Sequence, residues 1–321
     1  MIDEANRSAS ARRMRALAHA KRIAVSIEGV TGVDFGVIYK GGNRTNRLGI
    51  RFHVAAKLVP KALPAGQLLP RKIMGFACDV IQAKYCPHAD TPPNPHSTFD
   101  PIRPGISIGN LLRTTTGTLG AIVRDRMNGG AVCVLSNWHV LCASTQCAPG
   151  EQISQPGSFD LGSNPPRVVA KLLRWINLAH GCDAAITSID GGVHAMDQPL
   201  GIGIEFAQVA EPQMHMKLAK SGLSSGVTHA IVDGLHGSYQ MDYSTYGDAK
   251  RFMDGIRLVT DPNYLEPEVS LDGDSGAVWV DSETRSAVAL HFAGEDGMGP
   301  LADYAVAHPL SRVLQLLDVE L

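Results

Sequence analysis

The feature that most constrains this chain is a series of short apolar segments, with glycine and proline punctuating most of the intervals between them. They fall at residues 117–123, 131–135, 168–175, 184–189, 216–219, 228–232, 252–259, 277–280 and 287–292. Segments of this length suit short strands better than stable helices. The glycines and prolines between them mark turns. Of 321 residues, 33 are Gly, 19 are Pro and 44% are hydrophobic, so apolar material for a packed core is ample. The pattern predicts an all-β sandwich or barrel. The tail is the exception. Leu310, Val313, Leu314 and Leu317 recur at helical spacing, and Pro309 suits a first helical position.

The first 86 residues read differently. Residues 7–25 predict a helix with Met14, Leu17, Ala18 and Ala24 on one stripe and Ser8 or Ser10 as its N-cap. Arg12, Arg13, Arg15 and Arg22 line its other faces. They read as a solvated surface or, alternatively, as an arm for a partner subunit or an acidic surface. Residues 33–39 and 48–54 flank the turn signal Lys40-Gly41-Gly42-Asn43 and predict a hairpin, and residues 76–81 predict a third strand. These segments predict a small α+β domain over residues 1–86. Pro87, Pro92, Pro93, Pro95, Pro101 and Pro104 then predict an extended linker over 87–104, with the β region filling 105–321.

A net charge of −2 argues against a nucleic-acid protein held by a broad basic face. No apolar run reaches the length of a membrane helix. The opening Met1-Ile2-Asp3-Glu4-Ala5-Asn6-Arg7 leads into no signal-peptide stretch, so a cytoplasmic location is expected. Cys78, Cys86, Cys133, Cys142, Cys147 and Cys182 are then expected as reduced thiols. Their spacings miss those of zinc ligands, and neither metal nor other cofactor is expected.

Three segments carry chemistry. His139 ends an apolar run in Val134-Leu135-Ser136-Asn137-Trp138-His139-Val140-Leu141. Asp183 opens another in Cys182-Asp183-Ala184-Ala185-Ile186. Ser275 sits in the glycine-flanked Leu271-Asp272-Gly273-Asp274-Ser275-Gly276-Ala277-Val278. A serine hydroxyl needs a base, histidine supplies one near neutral pH, and a carboxylate fixes the imidazole tautomer. Glycines beside the serine let backbone N–H groups converge on an oxyanion. Asp160 and Asp190 compete for the acid role, but both read as turn residues.

With those residues, the region from about Gly105 onward resembles the chymotrypsin-like (trypsin-fold) serine proteases. It is most similar to the intracellular trypsin-like proteins related to the rice narrow-leaf protease. Supporting stretches include Gly105-Ile106-Ser107-Ile108-Gly109-Asn110, Gly117-Thr118-Leu119-Gly120-Ala121, Gln155-Pro156-Gly157, and Lys220-Ser221-Gly222-Leu223-Ser224-Ser225-Gly226-Val227. In the first domain they are Arg51-Phe52-His53-Val54 and residues 63–70. The resemblance implies two six-stranded-type antiparallel β-barrels with a C-terminal helix, preceded by the small α+β domain. It implies a serine endopeptidase in which Ser275 attacks, His139 is the general base and then the acid, and Asp183 orients His139. The N–H groups of Gly273 and Ser275 would form the oxyanion hole.

The chain also departs from that pattern. The digestive members mature by cleavage before a new Ile or Val terminus, whereas Arg103 here precedes Pro104, a poor bond for such a cut. Asp274 then lacks the usual ammonium partner. If buried, it needs another cation or backbone donors, unless a partner completes the site. The residue at the expected floor of the specificity pocket is Val269, not an acid. His291 is expected in the pocket wall, where an imidazole donates to a polar or acidic side chain, or else serves as an inward-facing structural residue. The substrate is expected to be a protein or peptide. A homo-oligomer or regulatory partner would act through the N-terminal domain. The rival readings are a catalytically weak binding or scaffold protein on the same fold, whose activity requires a partner, and an esterase.

Overall fold

Strand pairing decides the architecture, and one long strand dominates it. The computed structural model describes residues 2–40, 43–58, 63, 66–86, 97–162, 165–202, 205–264, 268–295 and 303–321. The chain opens with α1 (Ile2–Ser26), then β1 (Val30–Lys40), β2 (Asn43–Val54), β3 (Lys72–Ile73), β4 (Phe76–Gln82) and β5 (Tyr85–Cys86). Next come β6 (Ser107–Asn110), β7 (Gly117–Thr118), β8 (Ala121–Asp125), β9 (Ala131–Ser136), the one-turn α2 (Trp138–Leu141), β10 (Gln152–Ser154), β11 (Val168–Trp175) and β12 (Ala185–Ile189). Then follow β13 (Lys217–Gly222), β14 (Gly226–Asp242), β15 (Lys250–Thr260), β16 (Val278–Asp281), β17 (Ala287–Glu295), β18 (Tyr304–Pro309), α3 (Leu310–Leu317) and β19 (Val319–Glu320).

The molecule is mainly β with a C-terminal helix, but the two closed six-stranded barrels implied by the resemblance do not form. One sheet has eleven strands in the order β13-β16-β17-β18-β15-β14-β1-β2-β4-β3, with β5 on β17 and an extra β13–β14 pairing. That extra pairing turns the sheet back on itself, yet the sheet runs on into the N-terminal strands. The other has eight strands in the order β19-β8-β9-β12-β11-β10-β6-β7 and is an open half-barrel. The cause of the first difference is β14. Its 17 residues far exceed the apolar run at 228–232 and leave backbone for β1 to pair with. The strands are also not all antiparallel, because β2 and β4 run parallel.

The helices differ in detail from their sequence patterns. α1 starts at Ile2 rather than near residue 7, ahead of the expected cap. Its buried stripe is Ala16, Leu17, Ala20 and Ala24, packed with Val33, Phe35, Ile50 and Phe52, while Met14 is exposed. Arg12 and Arg13 lie over the rings of Phe76 and Phe35, so these two side chains cover the sheet. In α3, Leu310, Val313, Leu314 and Leu317 are buried as their spacing predicts, with Pro309 one position early as the N-cap. Pro87, Pro92, Pro93 and Pro95 lie outside the described residues. So do Gly41 and Gly42 of the hairpin turn, and Pro64 and Ala65. No helix among the described residues is long and apolar enough to cross a membrane.

A buried ionic cluster joins β1 and β2 to β14 and β15. Arg51 donates to both oxygens of Asp34, at 2.6 and 2.5 Å, and to Asp233 at 2.9 Å. Arg257 donates to the same Asp233 oxygen at 2.6 Å, so two cations meet two carboxylates. Burial alone would neutralise these groups. Arg51 outweighs it at Asp34 and holds that carboxyl well below the usual range. Gly36 and Gly234 face each other across the β1–β14 pairing, and a Cβ on either would run into the Arg51 guanidinium. Arg51→Met is expected to lower the unfolding free energy by about 3–5 kcal/mol, because Asp34 is left buried and uncompensated. Arg126→Met, which breaks an exposed pair with Glu320, is expected to change it by less than about 1 kcal/mol. Denaturant titration of both variants checks the contrast.

Candidate active site

His139 and Asp183 meet because of strand register. Antiparallel β9 and β12 pair Ser136 with Ala185, so the residues just beyond those ends face each other. His139 lies in α2, in the turn that leaves β9. Its backbone N–H reaches Asp183 Oδ1 at 3.2 Å, and its Nδ1 lies 2.6 Å from Asp183 Oδ2. Asn137 Nδ2 holds the Asp183 carbonyl at 2.7 Å. With Nδ1–H given to the carboxylate, the second ring nitrogen carries the lone pair of the neutral ring. That Nε2 is buried and has no hydrogen-bond partner among the described residues.

Two further residues hold Asp183, and both were absent from the sequence reading. The Tyr243 hydroxyl donates to Asp183 Oδ2 at 2.6 Å. The Asp183 backbone N–H donates to His308 Nε2 at 3.0 Å, while His308 Nδ1 donates to the Asp254 carbonyl at 2.6 Å. These two bonds fix His308 as a neutral tautomer. Burial would raise the pKa of Asp183. The His139 ring and the Tyr243 hydroxyl outweigh burial and hold the carboxyl below the usual range. Asp254 itself binds Lys21 of α1 at 2.8 Å and Arg312 of α3 at 2.9 Å, so both terminal helices lean on the strand that carries the His308 contact.

Ser275 lies in the loop before β16. Gly273 and Gly276 have φ of 99° and 100°, which only glycine adopts readily. Thr118 donates its N–H to the Ser275 carbonyl at 2.8 Å and its hydroxyl to the Gly273 carbonyl at 2.8 Å. Ser136, the residue ending β9, donates to the Thr118 carbonyl at 2.7 Å. The serine loop is thereby stitched through β7 to the strand that leads to His139. Ser275 Oγ lies 3.5 Å from the Phe292 carbonyl, and the Phe292 ring stacks on His308. Asp274 is buried with Lys220 Nζ at 2.7 Å and Ser225 Oγ at 2.6 Å. Burial favours its neutral form, yet Lys220 and Ser225 hold its pKa well below the usual range.

Val269 and His291 are both fully buried. The His291 ring packs edge-on to Trp279 at 6.2 Å, and the His291 backbone bonds Gly276 N–H and Ala277 C=O behind the serine loop. Val269 donates its N–H to the Asp303 carboxylate. Burial, with Glu268 and Glu295 nearby, pushes Asp303 up to about 7. An acid therefore stands beside Val269, which residue-by-residue reading did not anticipate. Asp160 accepts from Ser107 at 2.5 Å, and Asp190 lies 3.7 Å from Lys171, so each has its own partner. Cys78, Cys133, Cys142, Cys147 and Cys182 are free thiols. Among the described residues, no group of three His, Cys, Asp or Glu side chains is placed to hold a metal ion.

His308 gives the site a signature in pH. Burial pushes it down to about 4 from an ordinary 6.5. The unfolded chain therefore binds a proton that the folded chain refuses between those values. Stability from this group is complete above pH 6.5 and is lost as pH falls toward about 4. Over that window it is worth up to roughly 3 kcal/mol. His308→Gln is expected to flatten the fall in Tm across the window by that contribution, which thermal melts at stepped pH will measure.

No family model matches the chain, and no curated protein matches it. Solved structures do. A glutamic acid-specific serine protease, described as using a histidine triad in substrate binding, is 18% identical. The match covers 68% of this chain and 100% of that one, with a TM-score of 0.49. Cellulomonas bogoriensis chymotrypsin is 18% identical over 70% of this chain and 98% of that one, with a TM-score of 0.47. Thermobifida fusca Protease A is 15% identical over 68% and 97%, with a TM-score of 0.46.

Proposed function

We propose that this chain is a serine endopeptidase acting through Ser275, His139 and Asp183. The observation that carries the reading is the bond between His139 Nδ1 and a buried, ionised Asp183, with His139 Nε2 left as an acceptor. In this reading Ser275 Oγ attacks the scissile carbonyl and passes its proton to His139 Nε2. Asp183 stabilises the imidazolium. The N–H groups of Gly273 and Ser275 receive the oxyanion. His139 then protonates the leaving amine, the acyl-enzyme forms, and water repeats the sequence with the same base. The finer sequence likeness to the narrow-leaf-related group, the cytoplasmic location and the linker at 87–104 remain part of this proposal.

Residue burial favours a second reading, the weakly catalytic binding protein that needs a partner. Ser275, His139 and Asp183 are all fully buried. A fluorophosphonate probe separates the two. The expected outcome is labelling of the full chain that Ser275→Ala abolishes and His139→Ala slows by about 10⁴-fold or more. Absence of labelling on well-folded protein would install the binding reading instead.

For specificity, we propose that His291, with Val269 at the pocket floor, favours a polar or acidic residue before the scissile bond. Cleavage of a mixed peptide library should be enriched for Glu, Asp or Gln at that position, and His291→Ala should remove the enrichment. Enrichment for Lys or Arg would transfer the role to Asp303.

A further inference from the structure

We propose that Lys220 is the positioning residue of the nucleophile loop: folding alone brings its ammonium to Asp274 and so sets residues 271–276 in their reactive shape. The inference rests on Ser275 being the nucleophile.

Asp274 directly precedes Ser275, and its carboxylate acts as a staple between two turns. It receives Leu271 N–H at 2.9 Å from within the loop. From the turn between β13 and β14 it receives Ser224 N–H at 2.9 Å and Ser225 N–H at 3.1 Å. Ser225 Oγ adds a bond at 2.6 Å. These donors are neutral, and the Lys220 ammonium at 2.7 Å is the cation that meets the charge. Lys220 and Asp274 are both fully buried. Lys220 Nζ also bonds Ser225 Oγ at 2.7 Å and lies 5.4 Å from the centre of the Trp279 ring, so its position is fixed from three sides. A Cβ at Gly222 would run into the Asp274 carboxylate, which shows how closely β13 approaches the loop.

Without Lys220 the Asp274 carboxylate keeps its neutral donors but loses the cation that offsets its charge, which disfavours the buried ionised form. The carboxylate would either take up a proton or leave the pocket. Leaving would unwind a loop whose glycines hold left-handed geometry on both sides of Ser275. The cation belongs to the middle of a strand. It needs no cut in the chain and no partner to deliver it. Other titratable groups near this pair are Asp303, whose carboxyl senses Lys220, and His291, which lies across Trp279.

The test compares wild type, Lys220→Met and Lys220→Met/Asp274→Asn in two readouts. The first is the rate of fluorophosphonate labelling across pH. The second is hydrogen exchange of the Asp274, Gly276 and Ala277 amides, each bonded inside or beside the loop. Lys220→Met should label about 10²-fold or more slower than wild type above neutral pH, comparable to losing an oxyanion donor. The deficit should shrink as pH is lowered, because a protonated Asp274 no longer needs a cation. Removing both charges should restore much of the rate, with loop protection following the same order and strand amides unchanged. A Lys220→Met variant that labels within a few-fold of wild type above neutral pH, or a double variant no better than the single, overturns the proposal. If wild type does not label at all, the nucleophile reading fails. Loop exchange then decides the role of Lys220: unaltered protection in Lys220→Met overturns it.

Discussion

An ionised carboxylate leaves water only where charge and hydrogen bonds meet it, and that constraint organises this molecule. Asp34, Asp183, Asp233 and Asp274 each have 0% of their surface exposed. Each ties together elements distant in sequence. Asp34 and Asp233, through Arg51, join the N-terminal hairpin to the long strand. Asp183 gathers α2, Tyr243 and His308. Asp274 clamps the serine loop to the turn before β14. β14 is common to all of them. Asp233 lies within it, Ser225 just before it and Tyr243 just after it. The strand that overran its sequence signal is thus the one on which the buried charges converge.

The terminal helices reach the candidate site by the same means. Lys21 and Arg312 neutralise Asp254, and the Asp254 carbonyl accepts from His308, which in turn accepts from the Asp183 backbone. Proton affinity and geometry agree along this line. A neutral His308 must accept at Nε2, and burial keeps it neutral. Asp183 is therefore held by groups from α2 and β18 and by Tyr243 just after β14.

Short strands, the C-terminal helix and the His139, Asp183 and Ser275 segments were legible because local chemistry marks them. Turn glycines, helical spacing and a glycine-flanked serine all act within a few residues. β14 was not legible. Its second half, with His236, Gly237, Ser238 and Gln240, lacks an apolar run, and only pairing with β1 and β15 extends it. Arg51 and His53 alternate with apolar neighbours along β2, and nothing local marks that both are fully buried. Lys220, Tyr243 and His308 act through partners far along the chain, and no spacing rule connects them. The one local hint was Lys220 itself, a lysine set among Leu218, Ala219, Ser221 and Gly222, where few charges belong.

The β1–β14 pairing also bears on how the chain reaches its native state. Gly32 pairs with Tyr239 and Gly36 with Gly234, so the hairpin meets its neighbour about 200 residues after it is made. At ribosomal speeds that interval is roughly 10–40 s. Throughout it, β1 presents an unpaired edge, and Arg51 has Asp34 but not Asp233. Such long-range pairing is slow to form and invites association in the meantime. The N-terminal hairpin therefore completes its charge pairing only once β14 has been made.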